Sequence, residues 1–324
     1  MKVTNNGSFP WRGTPLGDAL ERLRGVTGAE RPDAAWREAR DRVARQAVAA
    51  QAGAGCDLVT DGLARRDEPV AEVVARLEGC EAGPETTSSR PGGGRYRVPI
   101  VRGELSWKEP VLVEDYLFAA TGSPVPVKVV LTGPFTIAHL AEDHAYGDPM
   151  ALAMAMATAV NQELRALHGA GAAFIQVDEP GLLERPEAFP IFTRVWEVLG
   201  RGVGATLAIH LEGGSIAPIS AGLGRLKRLG CLSVDCVSDP ENLAAAAAAP
   251  LHEGAVLALG LVAGDAGKNP EDASAAVERL RKTAGLPESS RLFIGPASDL
   301  GGLSVEEAAA RLKWLDEVRR RFDA

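Results

Sequence analysis

Polar side chains follow short apolar runs along the chain, and several are of types that do acid–base or metal chemistry. Asp178 and Glu179 directly follow one such run, while His210 and Glu212 follow the next with one residue between them. Adjacent carboxylates that face a cleft are costly unless they are paired or liganded. We therefore predict that His210, Asp178 and Glu179 are catalytic.

Further candidate binding residues stand after other runs or in short motifs between them. Substrate-binding side chains are predicted at Ser8, Asp61, Arg95, Arg97, Thr132, Ser298 and Asp299. Polar residues at strand ends also serve as caps for the helix that follows, so capping is an alternative for each strand-end residue taken alone.

Eight apolar runs must position these residues. They lie at 3–6, 57–60, 127–131, 174–177, 206–209, 232–234, 256–262 and 291–294. Helical patterns fill the gaps, over 35–54, after the Asp-Pro or Asn-Pro pairs at 148, 239 and 269, and after a capping box at Ser304. Apolar strands alternating with helices predict a single (β/α)₈ TIM barrel domain over residues 1–324, whose strand ends converge on one rim. A doubly wound sheet is less favoured because no complete nucleotide-binding glycine motif is present.

Composition excludes several protein classes. The 324 residues are 46% hydrophobic and 24% charged, as in an average folded protein. A net charge of −8 argues against nucleic-acid partners, and no apolar stretch approaches the ~20 residues of a membrane span. Four cysteines without a C-x-x-C pair exclude a disulfide scaffold, and no secretory signal is readable. We expect a cytoplasmic enzyme that acts on small molecules.

Four motifs occur in the order of the predicted strands: Gly7-Ser8-Phe9-Pro10, Arg95-Tyr96-Arg97-Val98-Pro99, Thr132-Gly133-Pro134-Phe135-Thr136 and Gln176-Val177-Asp178-Glu179-Pro180. With them, nearly the whole chain resembles the catalytic barrel of the cobalamin-independent methionine synthase family, in its short stand-alone form, within the uroporphyrinogen decarboxylase-like set. The resemblance implies a methyltransferase in which a zinc-bound homocysteine thiolate takes a methyl group from methyltetrahydrofolate. Some short relatives use a methylcorrinoid donor, which would imply a corrinoid protein as partner.

The resemblance also implies a zinc site, and here the chain departs from the family. The family binds zinc through a histidine, a cysteine two residues later, a glutamate and a second cysteine. His210 matches the histidine, but Glu212, Asp235 and Ser298 stand at the other positions. Two interpretations remain open. Either His210, Glu212 and Asp235 hold a divalent metal, zinc or a harder ion, or metal binding is lost and these residues contact substrate directly.

A second departure concerns the acceptor. The resemblance implies a glutamate that anchors the homocysteine amino group, but Leu63 stands there and Asp61 lies two residues earlier. Homocysteine or a related non-standard acceptor is therefore expected, with contacts from Ser8 and Asp178. Arg95 and Arg97 either pair with the carboxylate tail of a folate-like donor or are solvated surface charges.

Two further alternatives stay open from the sequence. The glycine-rich segment 84–95 is predicted to be a flexible loop, either a lid over the substrate or an ordinary surface loop. The alternative function is a metal-free lyase, hydrolase or ligand-binding barrel in which His210 and the Asp178/Glu179 pair act as acid–base groups.

Overall fold

The apolar runs form parallel strands in a computed structural model, which describes residues 1–11, 13–15, 17–18, 34–66, 68–88 and 94–324. The strands are β1 (Lys2–Val3), β2 (Leu77–Thr87), β3 (Arg95–Trp107), β4 (Val129–Thr132), β5 (Glu142–Asp143), β6 (Phe174–Asp178), β7 (Thr206–Leu211), β8 (Leu229–Asp235), β9 (Val256–Val262) and β10 (Leu292–Pro296). The helices are α1 (Ala34–Gly53), α2 (Pro69–Val74), α3 (Val113–Gly122), α4 (Pro134–Leu140), α5 (Pro149–Gly169), α6 (Gly181–Glu184), α7 (Phe189–Leu199), α8 (Ala217–Ser220), α9 (Asn242–Ala247), α10 (Ala273–Lys282) and α11 (Val305–Asp323).

The parallel sheet closes on itself through a short eighth strand. Among the described residues, seven strands pair in the order β1-β10-β9-β8-β7-β6-β4. The bridges Thr4–Leu58 and Val59–Val127 join the two outer strands through the segment at 58–59. All eight predicted runs therefore contribute to one curled parallel sheet, and the predicted TIM-barrel fold class is confirmed.

Strand residues alternate between the helical layer and the barrel interior. On β6, Ile175 and Val177 are fully buried in the main core, as a strand covered by helices requires. Inside the barrel, a separate apolar cluster contains Leu58, Ala208, Cys231, Ala258 and Phe293. Further along the strands, the inward-facing positions hold polar residues. These lie at the carboxyl ends of the strands, where barrel sites lie.

A hairpin interrupts the alternation of strands and helices. β2 and β3 pair antiparallel, with Thr86 opposite Tyr96, and β3 also pairs with β5. The predicted flexible loop over 84–95 is therefore partly wrong, because residues 84–87 belong to β2 and Arg95 begins β3; residues 89–93 lie outside the described part. β2 is mostly exposed and so lacks the apolar run that marks a buried strand.

Helix starts follow the predicted caps at two places and differ at two others. Asp148 accepts hydrogen bonds from two amides at the start of α5, and Ser304 forms the predicted capping box of α11. α9 begins at Asn242 and α10 at Ala273, both later than predicted. For α10 the reason is that Asp272 provides the cap instead. In the described ranges, no helix combines the length and apolar character needed to cross a bilayer.

Candidate active site

A cavity of about 440 Å³ opens at the carboxyl ends of the barrel strands. The predicted site residues that line it are Ser8, Arg95, Thr132, Asp178, His210, Glu212 and Asp299. They come from both halves of the chain, and the closed sheet brings them together. Their chemical roles stay predictions, but their convergence in one cavity is a finding of the structure.

His210 lines the cavity and is almost completely enclosed. It lies on β7, is 1% exposed, and its Nδ1 is 2.9 Å from the hydroxyl of Ser233 on β8. Its Nε2 makes no hydrogen bond in the structure and lies 3.6 Å from a carboxylate oxygen of Glu212. Buried polar atoms are rarely left without a partner, so this nitrogen is available to a ligand.

Asp178 and His210, an acidic and a basic group of the cavity, both have perturbed pKa values. Burial raises the pKa of Asp178 to about 7, although the nearby His210 lowers it. Burial by itself would lower the pKa of His210, but Glu212 and Asp178 outweigh it, so the pKa of His210 is raised above its ordinary value. The Asp178 carboxyl group can therefore exchange protons near neutral pH, as an acid–base catalyst must.

A second polar group lies at the rim of the cavity. The Ser8 hydroxyl donates to Oδ1 of Asp299 at 2.6 Å, and the Gly301 amide donates to both side chains at 3.1 and 2.8 Å respectively. A Cβ at position 301 would lie 2.3 Å from the Ser8 hydroxyl, so glycine permits this close approach. The Ser8 hydroxyl and the Asp299 carboxylate are therefore held in fixed positions where a ligand in the cavity can contact them.

Arg95 reaches the cavity from the hairpin. Its guanidinium pairs with Glu85 at 3.0 Å, and its side chain is 76% exposed. Exposed ion pairs contribute little, so this arginine can leave Glu85 for an anionic ligand at small cost. Arg97, by contrast, does not line the cavity, and its guanidinium donates to a β2 carbonyl at 3.3 Å. Arg95 therefore lines the cavity and Arg97 does not, and a ligand contact for either stays a prediction.

Glu179 lies behind the cavity wall and is fully buried. Its carboxylate accepts from the amides of Phe135 and Thr136 at 3.1 and 2.7 Å and from the Thr136 hydroxyl at 2.6 Å. Burial raises its pKa to about 7, against these hydrogen bonds, which lower it. The Glu179 oxygens therefore hold the first turn of α4, and direct catalysis by Glu179 stays a prediction.

Asp61 and Ser298 also lie outside the cavity lining. Asp61 is buried, accepts from the Leu63 amide at 3.1 Å and lies 3.4 Å from the guanidinium of Arg66. Leu63 itself lines the cavity and has a positive φ of 53°. Asp61 therefore shapes the turn that presents Leu63, and its carboxylate does not reach the cavity lining.

Asp235 is engaged by backbone amides at the end of β8. Its two oxygens accept from Gly213 at 3.1 Å, Val237 at 2.8 Å and Ser238 at 2.9 Å. These bonds tie the loop after β7 to the loop after β8. Both oxygens of Asp235 are therefore engaged by backbone amides.

The predicted metal set of His210, Glu212 and Asp235 stays a prediction, since His210 and Glu212 lie 3.6 Å apart while Asp235 is bonded to backbone amides. Across the described residues, no group of three or more His, Cys, Asp or Glu side chains is arranged to hold a metal ion. All four cysteines are described, and none lines the cavity. Burial raises the pKa of Cys231 and of Cys236 to about 12, which opposes the thiolate form that zinc prefers.

We expect Asp235→Ala to lower the free energy of unfolding by about 1–3 kcal/mol, because three backbone donors lose their acceptor. Metal content should not change. Urea denaturation and elemental analysis measure the two quantities, with Asp265→Ala as the control because Asp265 is an exposed partner of Lys268. A variant of unchanged stability that loses a bound metal would contradict this assignment.

Three buried polar residues near the site were not predicted. They are Lys128 beside β4, Gln176 on β6 and Ser233 on β8, each at most 2% exposed. The available signal was a polar or charged residue inside an otherwise apolar run, because such a residue is costly unless it has a partner within the barrel.

Comparison with known proteins supports the family resemblance. A family model described as the catalytic domain of cobalamin-independent synthase matches residues 1–190. The methionine synthase of Saccharolobus solfataricus is 36% identical over 160 residues, which cover 49% of this chain and 47% of that protein. That of Sulfurisphaera tokodaii is 39% identical over 131 residues, covering 40% and 38%. The chain thus spans about half the length of the curated relatives it matches.

Solved structures share the fold over almost the whole chain. A B12-independent methionine synthase from Shewanella sp. W3-18-1, in complex with selenomethionine, has a TM-score of 0.82 at 21% identity, covering 99% of this chain and 97% of that one. A methyltransferase from Methanosarcina mazei has a TM-score of 0.62 at 16% identity, covering 100% and 95%. At these identities the likeness shows the fold.

Proposed function

Because the chain belongs to the cobalamin-independent methionine synthase family, through its catalytic domain, we propose that it is a methyltransferase whose active site is the cavity at the carboxyl ends of the barrel strands. Residues 1–324 form its catalytic barrel domain in this proposal. The observation that carries it is the convergence of Asp178, inside the matched region, with His210 and Glu212, which lie beyond it.

The proposed acceptor is a small thiol, either homocysteine or a related compound, and the proposed donor is methyltetrahydrofolate or a methylcorrinoid. The relatives are named methionine synthases, and methionine differs from homocysteine by one methyl group on sulfur. Leu63 in the cavity wall gives part of the acceptor site an apolar surface. A corrinoid protein would be the partner if the donor is a methylcorrinoid.

The side chains present do not fit the thiolate-rich zinc site that the family implies. His210 and Glu212 are close together, but Asp235 is bonded to backbone amides and no cysteine reaches the cavity. We therefore assign the activation of the acceptor to the protein's own acid–base groups.

His210 is the proposed general base. Its uncoordinated Nε2 takes the proton of the acceptor thiol, while Ser233 orients the ring through Nδ1 and Glu212 stabilises the imidazolium that forms. The sulfur attacks the methyl carbon, so the sulfur–carbon bond forms as the donor's bond to that carbon breaks. With a folate donor, the electron pair goes to nitrogen, which takes a proton from protonated Asp178.

Methyl transfer by the purified chain tests this function. Methyltetrahydrofolate or methylcobalamin labelled in the methyl group would be incubated with homocysteine and with other small thiols. We expect label in the thioether product of at least one donor–acceptor pair. The absence of transfer and of binding for all of them would overturn the proposal and favour a lyase, hydrolase or binding barrel.

A further inference from the structure

Lys128 is a cation buried inside the barrel, just before β4. It is 2% exposed, and its ammonium donates to Oε1 of Gln176 at 2.6 Å and to Oδ1 of Asn6 at 3.1 Å. The ring of Phe174 lies 6.0 Å away. Within the described residues it forms no ion pair with a carboxylate. A buried ammonium is expensive to maintain, and neither the barrel fold nor the proposed acid–base groups require one at this position.

Gln176 connects this cation to the cavity. Its Nε2 donates to Oδ1 of Asp178 at 2.8 Å and to the Asn6 carbonyl at 2.7 Å. Because Lys128 has only donors, the oxygen of the Gln176 amide must face it and the nitrogen must face Asp178. The three side chains therefore form one directed hydrogen-bond chain from the barrel interior to the site.

We propose that Lys128 is a positioning residue that acts through Gln176 to fix the orientation of the Asp178 carboxyl group in the cavity. This arrangement leaves the second oxygen of Asp178 to the cavity. The role of Asp178 toward the substrate rests on the proposed function, whereas its positioning by Lys128 does not.

The charges around Asp178 define what Lys128 contributes. His210 and Glu212 approach it from β7 and its neighbouring loop, Glu179 follows it in the chain, and Lys128 lies on the β4 side. The positive charge of Lys128 lowers the pKa of Asp178 and of His210, while Glu212 raises both. Burial lowers the pKa of Lys128 itself to about 8, with Cys231, Asp178 and Cys56 acting in the opposite direction.

The test is a pH titration of ¹³C-labelled aspartate carboxyls by NMR, with Asp178→Asn used to assign the signal. Lys128→Met removes the cation with similar volume, and Gln176→Met breaks the connection. We expect the titration midpoint of Asp178 to rise by about 1 unit or more in each variant, because an ionised carboxyl loses a cation or a donor. Asn161→Leu is the matched control, since Asn161 is a buried amide that bonds only to carbonyls outside the barrel.

A double variant separates the relay from two independent effects. If Lys128 acts through Gln176, removing it shifts the Asp178 midpoint less in the Gln176→Met background than in the native chain. An Asp178 midpoint unchanged in the folded single variants would overturn the inference; if Lys128→Met does not fold, Gln176→Met decides. The titration needs no substrate, so a shifted midpoint without methyl transfer would overturn the proposed function alone.

Discussion

Replacing His210 by Asn lowers kcat/KM for methyl transfer by about 10²–10⁴-fold, the usual contribution of a positioned general base. The ring nitrogen that faces the cavity is the base for the thiol proton, and asparagine cannot accept it. The measurement is the initial rate of methyl transfer with saturating donor. The free energy of unfolding is measured alongside, because the buried ring and its Nδ1 contact with Ser233 are also lost, and the rates are compared on folded protein.

His144→Asn is the control for this variant. His144 lies on the loop after β5, with its side chain 55% exposed and 3.8 Å from Glu142. The His144→Asn protein should transfer methyl groups at the native rate. A folded His210→Asn protein that retains the native kcat/KM would contradict the role of His210 as general base.

Replacing Glu179 by Ala should lower the free energy of unfolding by about 2–5 kcal/mol, because a fully buried side chain is removed and its hydrogen-bond donors lose their acceptor. Three donors at the start of α4 lose their acceptor and a cavity is left behind. Gly133 belongs to the same arrangement, since a Cβ there would lie 2.1 Å from the Glu179 carboxyl. Urea denaturation measures the loss.

Glu179→Gln is the matched control, with the same volume and one remaining oxygen acceptor. The pKa of Glu179 is raised from 4.5 to about 7 in the folded protein, so its contribution to stability is fully present below 4.5 and is lost as pH rises toward 7. That pH dependence should disappear in Glu179→Gln. Equal stability of the native and Glu179→Ala proteins would contradict the role in holding α4.

The strands could be predicted because buried parallel strands are apolar and end in polar residues. This signal located β4, β6 and β9 and the short closing strand at 58–59. The hairpin of β2 and β3 gave no such signal because most of β2 is exposed. Helix starts were predictable where Asp148 or Ser304 caps directly, and not where a later residue, Asp272, competes for the cap.

The site could be predicted only in part. The barrel rule places strand-end residues at one rim, so the meeting of Ser8, Asp178, His210 and Asp299 followed from the sequence. Residue type does not reveal which carboxylates are occupied by backbone amides. Glu179 looked as reactive as its neighbour Asp178, yet its donors lie more than forty residues earlier in the chain.

The central claim is that this chain transfers methyl groups through its own acid–base residues. The direct test is methyl transfer from labelled donor to thiol after exhaustive chelation, with the metal content of the same sample determined. We predict native activity at substoichiometric metal, and no further stimulation when zinc is added. Activity that disappears on chelation and returns with one zinc ion per chain would contradict it.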